Sequence, residues 1–219
     1  HSVCRICLVE VGGTSKPQPA CSTPAKDGDV VETHTPALQA FRRADAEWLL
    51  ARHPNDCMRC EVNGDCRLQT LVAENQWGER WEEIPPGSPA HPEHAATDHT
   101  SPGIWRDMDK CIECGLCAEA CGEAGQQQHV IGFAERGFER MPVTVFDRPL
   151  SETGCISCGQ CTLVCPVGAL IEAPHWHDVL HTLDSRKRVS IAQIAPATRI
   201  AISEEFGMKP GTVSTGRLI

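Results

Sequence analysis

The sequence predicts an α+β fold class: a string of small modules tied together by cysteine, ending in the opening of an α/β domain. Three observations predict it. Fourteen cysteines fall in short runs, and one run of four returns further along the chain with the same spacing. Gly (18) and Pro (16) are frequent and Tyr is absent, which marks loop-rich modules rather than one large aromatic core. From Val189 an apolar run followed by an amphipathic segment reads as strand then helix, the alternation that opens an α/β domain.

The 219 residues allow one or two ordinary domains, and smaller units where metal ligation replaces part of a core. A formal charge of −9 argues against a nucleic-acid partner and is neutral on protein partners. Cysteines in such number form a disulfide framework in a small secreted domain, or metal sites in a reducing compartment. The tight C-x-x-C-x-x-C runs decide for metal, because thiols on one turn suit a common centre better than distant partners. No stretch approaches the ~18 apolar residues of a membrane span, and no secretory signal is present. The chain opens at His1 rather than Met and ends at Ile219 without a closing element, so a piece of a longer protein is expected.

Residues 1–35 are turn-rich, with Gly12-Gly13, Pro17, Pro19, Pro24 and Gly28 between short β-prone runs such as VVETH. Thr35 followed by Pro36 is a helix start, a hydroxyl N-cap and then proline at the first helical position. The helix that follows carries Leu38, Phe41, Trp48 and Leu49 on one stripe, and Pro54 stops it. A cysteine loop with an Asn63-Gly64 turn and a short helix complete a segment over 36–76. Residues 77–103, rich in Pro, Glu, His and Gly, read as a linker or covering loop. A duplicated module spans 104–174; between its two runs, HVIGFAERGFERMPVTVF reads as short strands broken by Gly137 and Pro142. In 175–219 a polar helical linker leads to VSIAQIAP, an expected strand, and ATRIAISEEFG, an expected helix closed by Gly207.

The duplication carries the chemistry. CIECGLCAEAC (111–121) and CISCGQCTLVC (155–165) share the C-x2-C-x2-C-x3-C pattern, and each cysteine of the second lies 44 positions after its counterpart (155 − 111). With Pro166 after the last cysteine, this is the ligand pattern of bacterial ferredoxins with two [4Fe–4S] clusters. Three cysteines on one turn cap three irons; the fourth cannot reach round and serves the other cluster. That assigns Cys111, Cys114, Cys117 and Cys165 to one cluster, and Cys155, Cys158, Cys161 and Cys121 to the second. Zinc sites instead use well-separated pairs.

HPNDCMRCEVNGDC places His53, Cys57, Cys60 and Cys66 together. By itself His53 reads as a solvated histidine stabilised by the helix C-terminus; three adjacent cysteines lacking a fourth ligand tip it towards ligation of a [4Fe–4S] cluster. Cys4, Cys7 and Cys21 make three-quarters of a [2Fe–2S] site whose fourth ligand is missing. This scheme uses all 14 cysteines. His91, His94 and His99 read as solvated linker, His175, His177 and His181 as an exposed helix face, and Glu204-Glu205 as a solvated carboxylate pair.

In this order the sites resemble the amino-terminal part of the large [FeFe]-hydrogenases. The iron–sulfur subunit of complex I, the diaphorase small subunit of NAD-reducing hydrogenases and some NAD-dependent formate dehydrogenases begin similarly. CRICLVEV, HPNDCMRCEVNGDC and the two ferredoxin runs carry the resemblance, which covers essentially the whole chain. It implies a partial β-grasp for 1–35, cluster ligation by His53, and the missing [2Fe–2S] ligand ahead of Cys4. By likeness, the segment from Val189 starts the hydrogenase catalytic domain. Ala195, Pro196 and Ala197 would then line the pocket of its H-cluster, whose own ligands lie downstream.

The expected function is therefore electron relay through three [4Fe–4S] clusters and one [2Fe–2S] cluster, with an H-cluster only in a full-length protein. Ferredoxin or flavin/NADH diaphorase subunits are the partners the resemblance implies. A relay subunit of an NAD-linked formate or NADH dehydrogenase and a stand-alone ferredoxin-like carrier are the alternatives. Such clusters call for reducing surroundings, the cytoplasm or an organelle stroma or matrix.

Overall fold

The computed structural model describes residues 2–14, 16–54, 56–77, 97–137, 140–185 and 187–218. The chain divides into two compact units, His1–Ala173 and Pro174–Ile219. His91 and His94 lie outside the described residues.

The first unit opens with three short antiparallel strands. β1 (Leu8–Val11) lies between β2 (Gln18–Pro19) and β3 (Val31–Glu32), with Leu8 opposite Pro19 and Glu10 opposite Glu32. Leu8 and Val9 are buried where α1 (Pro36–Arg52) packs on the sheet. The start of α1 follows from its sequence: Thr35 Oγ1 accepts from the Leu38 N–H at 3.2 Å and donates to Glu10 Oε1 at 2.9 Å. Its inward face differs from the expected stripe. Leu38 and Ala46 are buried, but Phe41 and Trp48 are 50% and 44% exposed. Arg42 turns inward in their place, because its guanidinium bonds the carbonyls of Ile6 (3.1 Å) and Leu8 (2.6 Å), which flank Cys7. Charge-assisted bonds of this kind allow a cation where an aromatic ring was expected.

After a 3-10 turn at Cys57–Arg59 and the Asn63-Gly64 turn, with Gly64 at φ +86°, α2 (Arg67–Asn75) begins. The duplicated module is framed by its own ends: β4 (Ile104–Arg106) pairs antiparallel with β7 (Leu170–Glu172). Inside the frame, α3 (Leu116–Cys121) packs on α4 (Gln160–Val164), and the hairpin β5 (Ile131–Ala134)–β6 (Met141–Thr144) covers α3. Gly115 (φ +82°) and Gly159 (φ +73°) cap the two short helices at equivalent places, in a region of backbone space where glycine carries no steric cost.

Two expectations change here. Pro142 does not break a strand but sits within β6 opposite Phe133, since a two-stranded hairpin leaves N–H groups that need no partner. Residues 97–103 are not a free linker. Asp98 exchanges backbone hydrogen bonds with Arg106 (2.8 and 2.9 Å), and its carboxylate accepts the Leu150 N–H at 2.7 Å. His99 stacks on Trp105 with ring centroids 3.8 Å apart.

One core group joins Ile104, Cys117, Val130, Ile131, Leu150, Cys161 and Leu170 within the module. A second, Cys66, Leu68, Val167 and Ala169, welds the helical segment to it.

The second unit contains α5 (Trp176–Leu183), α6 (Thr198–Glu205) and α7 (Thr215–Leu218). Gly207, at φ +71°, closes α6 with its N–H on the Glu204 carbonyl at 2.9 Å. The strand expected at 189–196 is not formed. Val189 and Ile191 are 91% and 89% exposed, and none of the described residues of this unit offers a strand edge to pair with. Among the described residues no helix is long and apolar enough to cross a membrane.

Candidate iron–sulfur centres

The repeated runs line two cavities. One, with about 420 Å³ of empty volume, is lined by Cys111, Cys114, Cys117 and Cys165 among apolar residues that include Ile131, Val167 and Leu170. The other, about 360 Å³, is lined by Cys121, Cys155, Cys158 and Cys161 with Ile104, Val130 and Leu150. Each cavity takes three cysteines from the tight turn of one run and one from the helix end of the other. The helices explain the exchange: Cys121 ends α3 and Cys165 caps α4, and the two helices pack on each other.

Burial pushes these thiols up. It raises Cys114 from 9.0 to about 11 and Cys117 to about 12, the neighbouring cysteine charges adding to it. Cys161 is raised to about 11 by burial and then by the charges of Cys155 and Cys158. Cys111 and Cys165 are raised too, burial first, with backbone N–H groups pulling the other way. Four largely shielded thiols, Cys117 the least exposed, hinder one another's ionisation and need a cationic core before all can be thiolates, so the donor set fits an iron–sulfur cluster. The N–H groups of Glu113 and Ser157 point at Cys111 Sγ (3.3 Å) and Cys155 Sγ (3.4 Å), two positions related by the duplication. Both residues have positive φ (57° and 53°), which aims the amide at the sulfur.

The third set is gathered less completely. His53, Cys57 and Cys66 line a pocket of about 810 Å³ with Leu50, Leu68 and Trp77. Cys60 does not line it but sits over Gly168, where a Cβ would stand 2.7 Å from its Sγ. His53 caps α1, its backbone N–H on the Leu50 carbonyl at 3.3 Å. Of the first three cysteines, Cys7 and Cys21 share a hydrogen bond. Burial raises the Cys7 thiol, while at the exposed Cys21 a slight desolvation is outweighed by the Ser2 N–H (3.3 Å) and the bond from Cys7, which lower it. Cys4, whose charge also reaches Cys7, lines a pocket of about 590 Å³ with Cys111, Asp45 and Arg52. Among the described residues no three His, Cys, Asp or Glu side chains converge as they would on a single metal ion. A polynuclear cluster instead spreads its ligands over several irons.

Ala195, Pro196 and Ala197 form an exposed turn leading into α6. Glu204 accepts the Gly211 N–H at 3.1 Å, and His177 stacks on Trp176 with centroids 3.6 Å apart.

Several polar residues around these sites escape a search by motif. Arg52 pairs with Glu113 at 2.8 Å, joining α1 to the first ferredoxin run. Beside them Asp45 buries an oxygen, Oδ2, that makes no hydrogen bond. Burial raises its carboxyl above the usual 3.8, against the pull of Arg5. The neutral form therefore suits the folded chain better than the unfolded one. Its contribution is whole below pH 3.8 and is lost as pH rises through the higher folded value. Asp45→Asn is expected to stabilise the protein at pH 7 by roughly 1 kcal/mol, about 2–4 °C in Tm, and to lose that advantage below pH 4. Calorimetry at the two pH values checks it, and a lower Tm at pH 7 would refute it.

Three family models match the chain. A 2Fe-2S iron-sulfur cluster binding domain matches residues 1–36, the NADH-ubiquinone oxidoreductase-G iron-sulfur binding region 42–80, and a 4Fe-4S dicluster domain 110–169. The NADP-reducing hydrogenase subunit HndD of Solidesulfovibrio fructosivorans is 39% identical over 215 residues, 98% of this chain and 36% of that protein. A G-type NADH-quinone oxidoreductase protein of Rhizobium meliloti is 39% identical over 173 residues, 78% of this chain and 19% of its own length. The chain thus spans about a third or less of these relatives. A solved NAD+-reducing [NiFe]-hydrogenase in the H2-reduced state superposes with a TM-score of 0.66 at 29% identity, covering 80% of this chain and 70% of that one. The chain carries [2Fe–2S] and [4Fe–4S] binding domains of the type found in NADH-quinone oxidoreductase-G proteins and the NADP-reducing hydrogenase HndD.

Proposed function

We propose that this chain relays single electrons through four clusters inside an NAD(P)H-linked multisubunit oxidoreductase of the NADH dehydrogenase type. Two [4Fe–4S] clusters would be held by Cys111, Cys114, Cys117 and Cys165, and by Cys121, Cys155, Cys158 and Cys161. A third would be held by His53, Cys57, Cys60 and Cys66, with Cys60 seated over Gly168. Cys4, Cys7 and Cys21 would serve a [2Fe–2S] cluster with a ligand ahead of Cys4, on a β-grasp of which β1, β2 and β3 form part. The observation that carries the proposal is the pair of cavities, each ringed by four thiols drawn from both repeats.

Bound there, the clusters supply one-electron redox chemistry at potentials set by hydrogen bonding, charge and exposure. The chain's own part is to ligate, to keep water from the inner thiols, and to direct the Glu113 and Ser157 amides at ligand sulfurs. A flavin-bearing subunit that oxidises NAD(P)H, or a ferredoxin, would exchange electrons with it, in the cytoplasm or an organelle stroma or matrix.

A second reading, the relay of an [FeFe]-hydrogenase, is favoured by one observation: similarity to HndD runs over 98% of the chain, into the unit that carries Ala195, Pro196 and Ala197. These alanines and the proline would then line an H-cluster pocket. Anaerobic EPR of the full-length protein with its partner subunits tests both. Reduction of the clusters by NADH or NADPH but not by hydrogen supports the first reading, and reduction by hydrogen alone supports the second. Formate as the sole effective reductant would overturn both.

A further inference from the structure

The turn Cys165–Gly168 is where the helical segment meets the ferredoxin module. The Arg67 N–H bonds the Pro166 carbonyl at 3.0 Å, and Cys66 Sγ lies 3.7 Å from the same oxygen. A Cβ on Gly168 would come within 2.7 Å of Cys60 Sγ and 3.4 Å of Lys110 Cδ, so bare backbone there seats both the sulfur and the lysine stem. Lys110 Nζ is held 2.8 Å from Asp107 Oδ2, the two side chains 18% and 27% exposed. The result is an ammonium paired with a carboxylate, largely withdrawn from water, whose stem shares the Gly168 seat with a thiol of the helical segment.

We propose that Lys110, a residue of the ferredoxin module, sets the reduction potential of the cluster held by His53, Cys57, Cys60 and Cys66. The inference rests on the reading of those four residues as ligands of a [4Fe–4S] cluster. Reduction there adds one electron, supplied by the NAD(P)H-linked donor, and no proton. The added negative charge is favoured by a nearby cation and opposed by a nearby carboxylate, and partial burial limits the screening of both. Lys110 therefore draws the potential up and Asp107 restrains it. Lys110 acts through the field at Cys60 and makes no bond to iron, so it is a positioning residue for charge.

The test uses full-length protein purified anaerobically with its clusters, as wild type, Lys110→Gln, Lys110→Arg and Asp107→Asn. Iron and sulfide are counted, and each cluster's EPR signal is followed against applied potential. Lys110→Gln is expected to cut the reduced fraction of the third cluster about tenfold at fixed poise, a one-electron shift of about 59 mV downward. Asp107→Asn should shift it upward and Lys110→Arg should restore it, with the cluster of Cys121, Cys155, Cys158 and Cys161 unmoved. A third-cluster potential unchanged in Lys110→Gln, or shifted the same way in Lys110→Gln and Asp107→Asn, overturns the inference while leaving the ligand assignment standing. A wild-type protein that lacks this cluster overturns the assignment itself, and the inference with it. If Lys110→Gln loses iron, Asp107→Asn still decides by moving up or not.

Discussion

A Cys121→Ala protein is expected to lose the [4Fe–4S] cluster of Cys155, Cys158 and Cys161, and to keep the cluster nearest in sequence. Cys121 ends α3, and its thiol opens on the cavity of the second run rather than that of its own. Cys165, at the end of α4, opens on the first. Iron and sulfide should fall by one cubane, and one of the two ferredoxin-type EPR signals should vanish. Cys165→Ala should remove the other. If Cys121→Ala spares the cluster of Cys155, Cys158 and Cys161 while abolishing that of Cys111, Cys114 and Cys117, each run holds its own cluster and the exchange is wrong. Loss of both signals in a protein that still folds would equally refute it.

Stripping the iron with a chelator under oxidising conditions is expected to abolish cooperative unfolding of residues 104–173. The parts of this module cannot stand alone: α3 has six residues and α4 five, and its strands have three or four. Isolated elements of that length are marginal in water. Two of its seven buried core residues are themselves cysteines, Cys117 and Cys161, with Cys121, Cys155 and Cys165 packed against them. Structural metal–thiolate binding contributes ~10–16 kcal/mol, against the ~5–15 kcal/mol that stabilises an ordinary domain, so ligation outweighs packing here. Near-UV circular dichroism should be lost and a hydrophobic dye should bind. A sharp, unchanged melt in the stripped protein would show that the core suffices without iron.

The stripped chain should also respond to pH in a defined direction. Buried thiols are neutral in the folded chain up to about 11 for Cys114 and Cys161 and about 12 for Cys117, against 9.0 when unfolded. Whatever structure remains is therefore strongest below pH 9 and weakens as pH climbs towards 12, because unfolding then releases thiolates into water.

The amino-acid sequence by itself determined the grouping of the repeated cysteines and the punctuation of several elements. The 44-residue offset, the Thr35 cap and the Gly207 stop are legible because each depends on neighbours a few residues away. Cysteine spacing on a turn and a hydroxyl reaching an amide three residues on are local geometry. Only the tertiary structure decided which face of α1 turns inward, since Arg42 displaces Phe41 by bonding carbonyls more than thirty residues away. It also decided that Pro142 lies inside a hairpin, that Asp98 ties 97–103 into the module, and that the run at 189–196 forms no strand. The seat of Cys60 over Gly168 beside Lys110 belongs to the same class. In each case the outcome turns on whether a polar or apolar group finds its partner across the chain, and period, propensity and spacing carry no record of that partner.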